Sequence, residues 1–185
     1  MTEKEKMLAG LGYRADDPEL QADQARARSL LAGFNGAPPN NDPARMAILR
    51  ELCAGIGEGV LVKPRFLCDY GFNIRIGPRT FVNYDAIFLD IAPIEIGADV
   101  QIATRVQLLT ADHPLDPAER RTGIESGRPI RIGDNVWLGG GVIVCPGAEI
   151  GENTVVGAGA VVAGALPPGV LALGVPARPV RDIAG

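Results

Sequence analysis

IGDNVWLGGGVIVCPGAEIGENTVVGAGAVVAGAL, residues 132–166, repeats itself every six positions. The pairs Ile132-Gly133, Leu138-Gly139, Val144-Cys145, Ile150-Gly151, Val156-Gly157 and Val162-Ala163 each set an aliphatic before a small residue. Four places after each aliphatic stands Val136, Val142, Ala148, Thr154, Ala160 or Leu166. A helix repeats at about 3.6 residues and a strand at about 2, so this period is neither. It describes a short strand and a tight turn, laid as one side of a coil. Three sides close a triangular turn, and the chain stacks as a parallel β-helix. The aliphatic points inward onto its copies above and below. The small residue fits the crowded corner, where glycine also supplies a positive φ.

Upstream, Ile96-Gly97 and Ile102-Ala103 hold the same register, with Val100 and Val106 four places on. Ile76-Gly77, Val82 and Phe88 keep the six-step but stand two places out of phase, so an irregularity near Ile91-Ala92-Pro93 must absorb the offset. A sandwich would alternate at two, with turn clusters at uneven spacing. Residues 1–58 read as helical instead. Asp17-Pro18-Glu19 and Asp42-Pro43 are helix-start signals: Asp as cap, Pro in the first turn, acids near the positive end of the dipole. Leu20, Ala27, Leu30, Leu31 and Phe34 follow the first; Met46, Leu49, Leu52, Cys53 and Ile56 follow the second, with Gly55 and Gly57 as the stop. GAPPNN, residues 36–41, is a turn between them. The expected layout is a packed helical segment over 1–58 and a β-helix over 59–185, with a loop at 110–129 and a C-terminal tail.

Bulk composition narrows the function classes. Hydrophobic residues make up 46% of the 185 and aromatics 5%, which predicts a core of Val, Ile, Leu and Ala rather than rings. Net charge is -4, so no global basic field draws nucleic acid or an anionic membrane. Three cysteines without paired spacing and a single histidine argue against a zinc site and for reduced thiols. MTEKEKMLAG lacks the apolar core of a signal peptide, and no apolar run approaches the roughly 18 residues of a membrane span, so a cytoplasmic protein is expected.

Several segments carry a family resemblance: EKEKMLAGLGYRADDPEL, FLCDYGFNIRIG, TADHPLDPAERRTG, IGDNVWLGGGVIVCPG and GVPARPVRDI. With the hexapeptide array they make nearly the whole chain resemble the maltose/galactoside O-acetyltransferases and their nodulation-protein relatives, within the left-handed β-helix acyltransferases. The resemblance implies a left-handed coil, a homotrimer, and acetyl-CoA held between neighbouring coils.

The repeat stops after Leu108 and resumes at Ile132; the insertion is rich in Pro, Arg, Asp and Glu and holds His113, the one histidine of the chain. A long polar loop on a rigid scaffold is usually functional, and Pro114 and Pro117 stiffen this one. The family pattern T-x-x-H-P-x-[DH] matches at Thr110, His113, Pro114 and Asp116. Acyl transfer from a thioester to an alcohol needs a base for the hydroxyl proton and an acid for the departing thiolate. An imidazole, titrating near pH 6.5 in general, does both in turn. No G-x-S-x-G elbow is present, and Cys145 occupies a packed corner position.

Further roles come from the resemblance. Asn83 stands beside the catalytic histidine, its amide on the oxyanion or thioester. Asp17, Asp69, Asp90 and Glu125 match acceptor-binding positions, where exposed carboxylates suit sugar hydroxyls; Glu125 alternatively orients His113. Trp137 packs behind the histidine, or serves plain packing. Gly140 and Ala158 line the pantetheine arm. Ala103, Ala163 and Gly164 are further cofactor-binding positions, the last two through their backbone, and Arg178 and Arg181 meet CoA phosphates, which guanidinium groups grip in a bidentate fork. Relatives often read Thr-Lys-Asp where this chain has Ala163-Gly164-Ala165, so a cation near the nucleotide is missing. The expected function is O-acetylation of a sugar hydroxyl, without metal. O-acetylation of serine or another small hydroxyl acceptor, and a non-catalytic binding β-helix, are the alternatives. A γ-type carbonic anhydrase needs three histidines and is excluded.

Overall fold

The computed structural model describes residues 1–38 and 41–183. Three helices open the chain: α1 (Glu3–Leu8), α2 (Pro18–Gly36) and α3 (Asp42–Leu52), with the strand β1 (Tyr13–Arg14) between the first two. Asp17 caps α2 as predicted, its Oδ1 accepting from the Glu19 N–H at 2.9 Å. The start and stop of α3 differ from the expectation. Its cap is Asn41, so Asp42 is the first helical residue and acts as an acid near the dipole's positive end. It ends at Leu52, because Gly55 already belongs to a coil strand and Gly57 is the first corner, where a Cβ would overlap the Pro78 backbone. Pro39 and Asn40, in the middle of the expected turn at 36–41, lie outside the described residues.

Five triangular coils follow. The first is β2 (Gly55–Ile56), β3 (Leu61–Val62) and β4 (Phe66–Cys68); the second β5 (Ile74–Ile76), β6 (Phe81–Val82) and β7 (Ala86–Leu89); the third β8 (Ile94–Ile96), β9 (Gln101–Ile102) and β10 (Gln107–Leu109). An excursion through β11 (Ala111–Asp112), α4 (Pro117–Arg120) and β12 (Ile124–Gly127) separates these from the fourth coil, β13 (Ile130–Ile132), β14 (Trp137–Leu138) and β15 (Ile143–Val144). The fifth is β16 (Glu149–Ile150), β17 (Val155–Val156) and β18 (Val161–Val162); β19 (Val170–Leu173) continues the stack and β20 (Arg178–Asp182) folds back antiparallel on it. Three parallel faces result: β2-β5-β8-β13-β16, β3-β6-β9-β14-β17-β19 and β4-β7-β10-β15-β18. The predicted inward residues stack in buried columns, for example Val82, Ile102, Leu138 and Val156 on the second face.

The phase offset has a clear origin. Arg131 and Glu149, paired in register, are 18 residues apart, one coil of three hexads. Gly55–Arg75 and Arg75–Glu95 are 20 apart, and Glu95–Arg131 is 36 apart. All the surplus falls at the corner joining the third face to the first: residues 69–73, then 90–93, then 110–129. The two small bulges therefore lie beneath the large loop.

The ends of a β-helix expose unpaired strand edges. Here α2 and α3 close the N-terminal end. Phe34, Phe66 and Phe88 stack edge to face, with ring centroids 6.3 and 5.2 Å apart. Asn35 pairs its side-chain amide with both the N–H and C=O of Phe66, at 2.9 Å each, in place of a missing strand. The ring-free core expected from composition is thus corrected at this end: the few aromatics concentrate where the coil must be plugged. No helix among the described residues is long and apolar enough to cross a membrane.

Candidate active site

The loop bearing His113 is braced on several sides. Buried Thr110 starts it: its hydroxyl donates to the Leu89 carbonyl at 2.6 Å and accepts from the Ala92 N–H at 3.0 Å. The Arg128 N–H returns to the Thr110 carbonyl, so the loop leaves and rejoins the coil at one point. Antiparallel pairing of β11 with β12, and of β12 with β1, makes a three-stranded sheet that ties the loop to the N-terminal segment. Asp116 caps α4, and Arg120 donates to the carbonyls of Pro114 and Leu115. His113 itself is exposed.

Below it, the stacked bulges gather acidic and phenolic groups. Asp69 is half-buried, and burial, followed by repulsion from Glu125, pushes its carboxyl up to about 6. Glu125 accepts a 3.2 Å hydrogen bond from the Tyr13 hydroxyl, and burial followed by the Glu125 charge pushes the Tyr13 phenol up. The Tyr70 hydroxyl accepts from Gln24. Asp90 requires a correction. It is fully buried, and its carboxylate accepts backbone N–H groups from Asp69, Tyr70 and Asn73 at 2.9–3.2 Å. It is not the exposed carboxylate expected but holds the bulge together, and burial pushes it up to about 6 against the lowering effect of the Tyr70, Gly71 and Asn73 N–H groups. Asp17 has Oδ1 engaged as a helix cap.

The corner joining the second face to the third carries another set. Lys63, Asn83, Ala103, Gly139 and Gly157 stack there, each N–H bonded to the coil above. Side chains shrink along this column toward the C-terminal end, and a Cβ on Gly139 would lie 2.5 Å from the Ala158 backbone nitrogen. Gly140 and Ala158 occupy the next positions of the same turns. Asn83 Oδ1 accepts from the Tyr84 N–H, which leaves the amide NH2 as its available donor. Ala163 and Gly164 line a separate small pocket with Pro176 and Arg178, while Arg181 pairs with Leu171 in the β19–β20 ladder. Trp137 is 54% exposed on the second face, between Gln101 and Val155, so within one chain it packs behind nothing.

One chain therefore divides the expected site. His113, Asp69 and Glu125 belong to the third corner; Asn83, Ala103, Gly140 and Ala158 belong to the second. The third face lies between them, and its strands with their turns, at about 3.3 Å per residue, keep these edges more than about 10 Å apart. Tyr13, Tyr70, Asp112 and Arg128 join the site without having been singled out from sequence; their partners lie far away along the chain, and no short-range pattern marks them. No metal-binding cluster of His, Cys, Asp and Glu occurs among the described residues.

Comparison with known proteins matches residues 6–57 to the maltose acetyltransferase hexapeptide capping motif and residues 129–164 to the bacterial transferase hexapeptide model of six repeats. Nodulation protein L of Rhizobium meliloti is 47% identical, over 96% of this chain and 97% of its own length. The crystal structure of a maltose O-acetyltransferase from Clostridium difficile 630 superposes with a TM-score of 0.99 at 47% identity, covering 100% of this chain and 99% of that one. A galactoside acetyltransferase in complex with coenzyme A gives 0.95 at 35% identity, covering 100% and 92%. By sequence and by fold, this chain belongs to the maltose/galactoside O-acetyltransferase branch of the hexapeptide-repeat, left-handed β-helix acetyltransferases.

Proposed function

We propose that the protein transfers an acetyl group from acetyl-CoA directly to a sugar hydroxyl, within a cytoplasmic homotrimer. The observation that carries this reading is the solitary histidine at the exposed edge of a braced loop, above a corner lined by Asp69 and Glu125. His113 takes the hydroxyl proton as the sugar oxygen bonds to the acetyl carbonyl carbon. The carbon–sulfur bond then breaks, and the same proton passes to the departing sulfur. The Asn83 NH2 stabilises the charge that develops on the carbonyl oxygen. Asp69 and Glu125 accept hydrogen bonds from other hydroxyls of the sugar. The small residues Ala103, Gly140 and Ala158 leave the second corner open for the pantetheine arm, and Arg178 and Arg181 meet the phosphates.

Assembly supplies the missing proximity. Outward residues differ among the three faces. The first carries an alternating ladder, Arg75, Glu95, Arg131 and Glu149, with Arg131 paired to both glutamates at 3.0–3.1 Å. The second shows Leu61, Phe81, Trp137 and Val155 with Gln101 at its middle, and the third Leu67, Ile87, Ile143 and Val161 with Gln107 at its middle. Two different apolar faces flanking the second corner suit a closed ring, in which unlike patches meet head to tail. Such a ring sets the His113 loop of one copy against the second corner of the next. A thioester-cleavage assay with acetyl-CoA and a panel of sugars, serine among the controls, tests the function. Release of CoA with serine but no sugar, or with no acceptor at all, overturns it.

A further inference from the structure

We propose that the acceptor carries a phosphate monoester, bound in a cationic pocket one coil below Asn83. This deepens the sugar-acetylation reading and rests on it for the location of the transferred acetyl group. The pocket, about 370 Å³, opens between the start of α3 and the second corner, and its polar lining is Asn35, Asp42, Arg45, Lys63 and Tyr84.

Arg45 is an unusual residue to find there. It is 6% exposed, and among the described residues its Nε–H has no hydrogen-bond partner. Its Nη2 donates to the carbonyls of Ala37 and Pro38, and Nη1 reaches the Asp42 carboxylate only at 3.4 Å. A buried N–H without an acceptor is rare in a folded protein, and with Nη1 held by Asp42 only at 3.4 Å the guanidinium at the pocket wall is short of acceptors. Lys63 lines the same pocket and makes no ion pair among the described residues. Asn35 is fully committed to Phe66. The charge balance is two cations against the single carboxylate of Asp42, in a chain whose net charge is -4. Helix α3 also begins here without a side-chain cap, so donors of its first turn lack a side-chain acceptor.

Position gives the pocket its meaning. Lys63 is the next residue down the column from Asn83, and Tyr84 follows Asn83 directly. The proposed pantetheine corners, Ala103, Gly140 and Ala158, lie on the other side of Asn83. A sugar whose hydroxyl meets the acetyl group at Asn83 can therefore extend toward Arg45 and Lys63 without crossing the cofactor. A phosphate monoester supplies several acceptor oxygens to the guanidinium, the ammonium and the Tyr84 hydroxyl.

The test compares α-glucose 1-phosphate with methyl α-glucoside, both of which offer a free primary hydroxyl. The ratio of their kcat/KM values is expected to favour the phosphate ester by about tenfold or more, the usual scale for hydrogen bonds to a charged group. In Lys63→Gln the ratio is expected to fall toward one, with the variant's fold checked by Tm; Arg45→Gln is a second variant. Calorimetric titration with α-glucose 1-phosphate, without acetyl-CoA, reads the pocket independently of turnover and is expected to show binding weakened about tenfold in Lys63→Gln. Equal kcat/KM for the two sugars, or equal binding by wild type and Lys63→Gln, overturns the proposal. Absence of sugar acetylation altogether overturns the functional reading instead, and the titration then decides the pocket by itself.

Discussion

Arg128 donates to Oδ2 of Asp112 at 2.9 Å, while Oδ1 of the same carboxylate accepts the backbone N–H of His113 at 3.0 Å. The pair thus spans the two strands of the loop and fixes the backbone from which the histidine projects. Both side chains are substantially exposed, so the ion pair itself contributes little to stability, about 0–1 kcal/mol. Arg128→Gln is expected to lower kcat about threefold to fivefold with the acetyl-CoA KM unchanged, and Arg128→Lys to recover part of the loss. Steady-state kinetics check this. A shift in the acetyl-CoA KM alone would show that Arg128 acts on the cofactor and not on the loop.

His113→Ala is expected to keep the fold, since the residue is exposed and its side chain supports no core contact, and to lower kcat by about 10²–10⁴-fold, the scale for losing a general base. Circular dichroism and stopped-assay kinetics separate the two effects. Near-wild-type turnover would remove the base assignment.

Asp90 and Asp69 are expected to separate. Asp90→Ala leaves three backbone N–H groups without their acceptor inside the bulge and should destabilise by about 3 kcal/mol, read as a fall in the urea midpoint. Asp69→Asn should instead raise the acceptor KM. Its effect on stability depends on pH. The folded carboxyl is pushed up to about 6 from 3.8, so the native state binds more protons than the unfolded state between these values. Wild-type stability relative to Asp69→Asn is therefore greatest below about pH 4 and is lost as pH rises through 6. Partial exposure limits the change to an order of 1 kcal/mol. A difference independent of pH would show that this carboxyl is not perturbed.

Arg178→Ala combined with Arg181→Ala is expected to raise the acetyl-CoA KM about tenfold with a smaller effect on the acceptor. The thioester of dephospho-CoA should lose less than acetyl-CoA does if one arginine meets the 3′-phosphate. Equal losses with both remove that contact.

Gly140 tolerates a side chain within its own chain: an added Cβ meets nothing nearer than Thr104 Oγ1 at 3.6 Å. Inactivation by Gly140→Trp would therefore come from blocking what lies outside the corner. If the proposed trimer forms with sites shared between copies, co-refolding inactive His113→Ala with inactive Gly140→Trp is expected to restore part of the activity, because mixed assemblies would contain sites with neither lesion. A monomer by light scattering, or verified mixed trimers without activity, counts against a site shared between copies.

The coil was legible in the sequence because each hexad reports its own geometry. The positive φ expected at the small residue after each aliphatic is corrected: Gly133, Gly139, Gly151 and Gly157 lack it and are small because a Cβ would strike the next coil, while Asn135, Gly141, Gly147, Asn153 and Gly159, three places after the aliphatic, have it. Even the exposure of Trp137 follows from phase, since it precedes inward Leu138; packing behind a histidine can come only from another copy. The bulges were less legible. From sequence, Asp90 reads as an exposed acceptor carboxylate, and only the two-residue surplus in the completed coil turns it inward. Tyr13 and Glu125 are 112 residues apart, and their contact depends on an N-terminal strand finding the loop, which no periodicity encodes.

All the surplus length in this chain is added at one corner, while the strand registers above and below stay intact. Lengthening that edge by two residues or by eighteen costs the neighbouring coils no pairing. Insertion along one edge of the prism thus changes the surroundings of His113 and Asp69, while the edge with Ala103, Gly139 and Gly157 keeps constant dimensions. Deep sequencing of a loop-insertion library is expected to register the asymmetry as tolerance of folding within residues 110–129 and intolerance at 139–141 and 157–159, with the bulges at 69–73 and 90–93 restrained by the Asp90 hydrogen bonds.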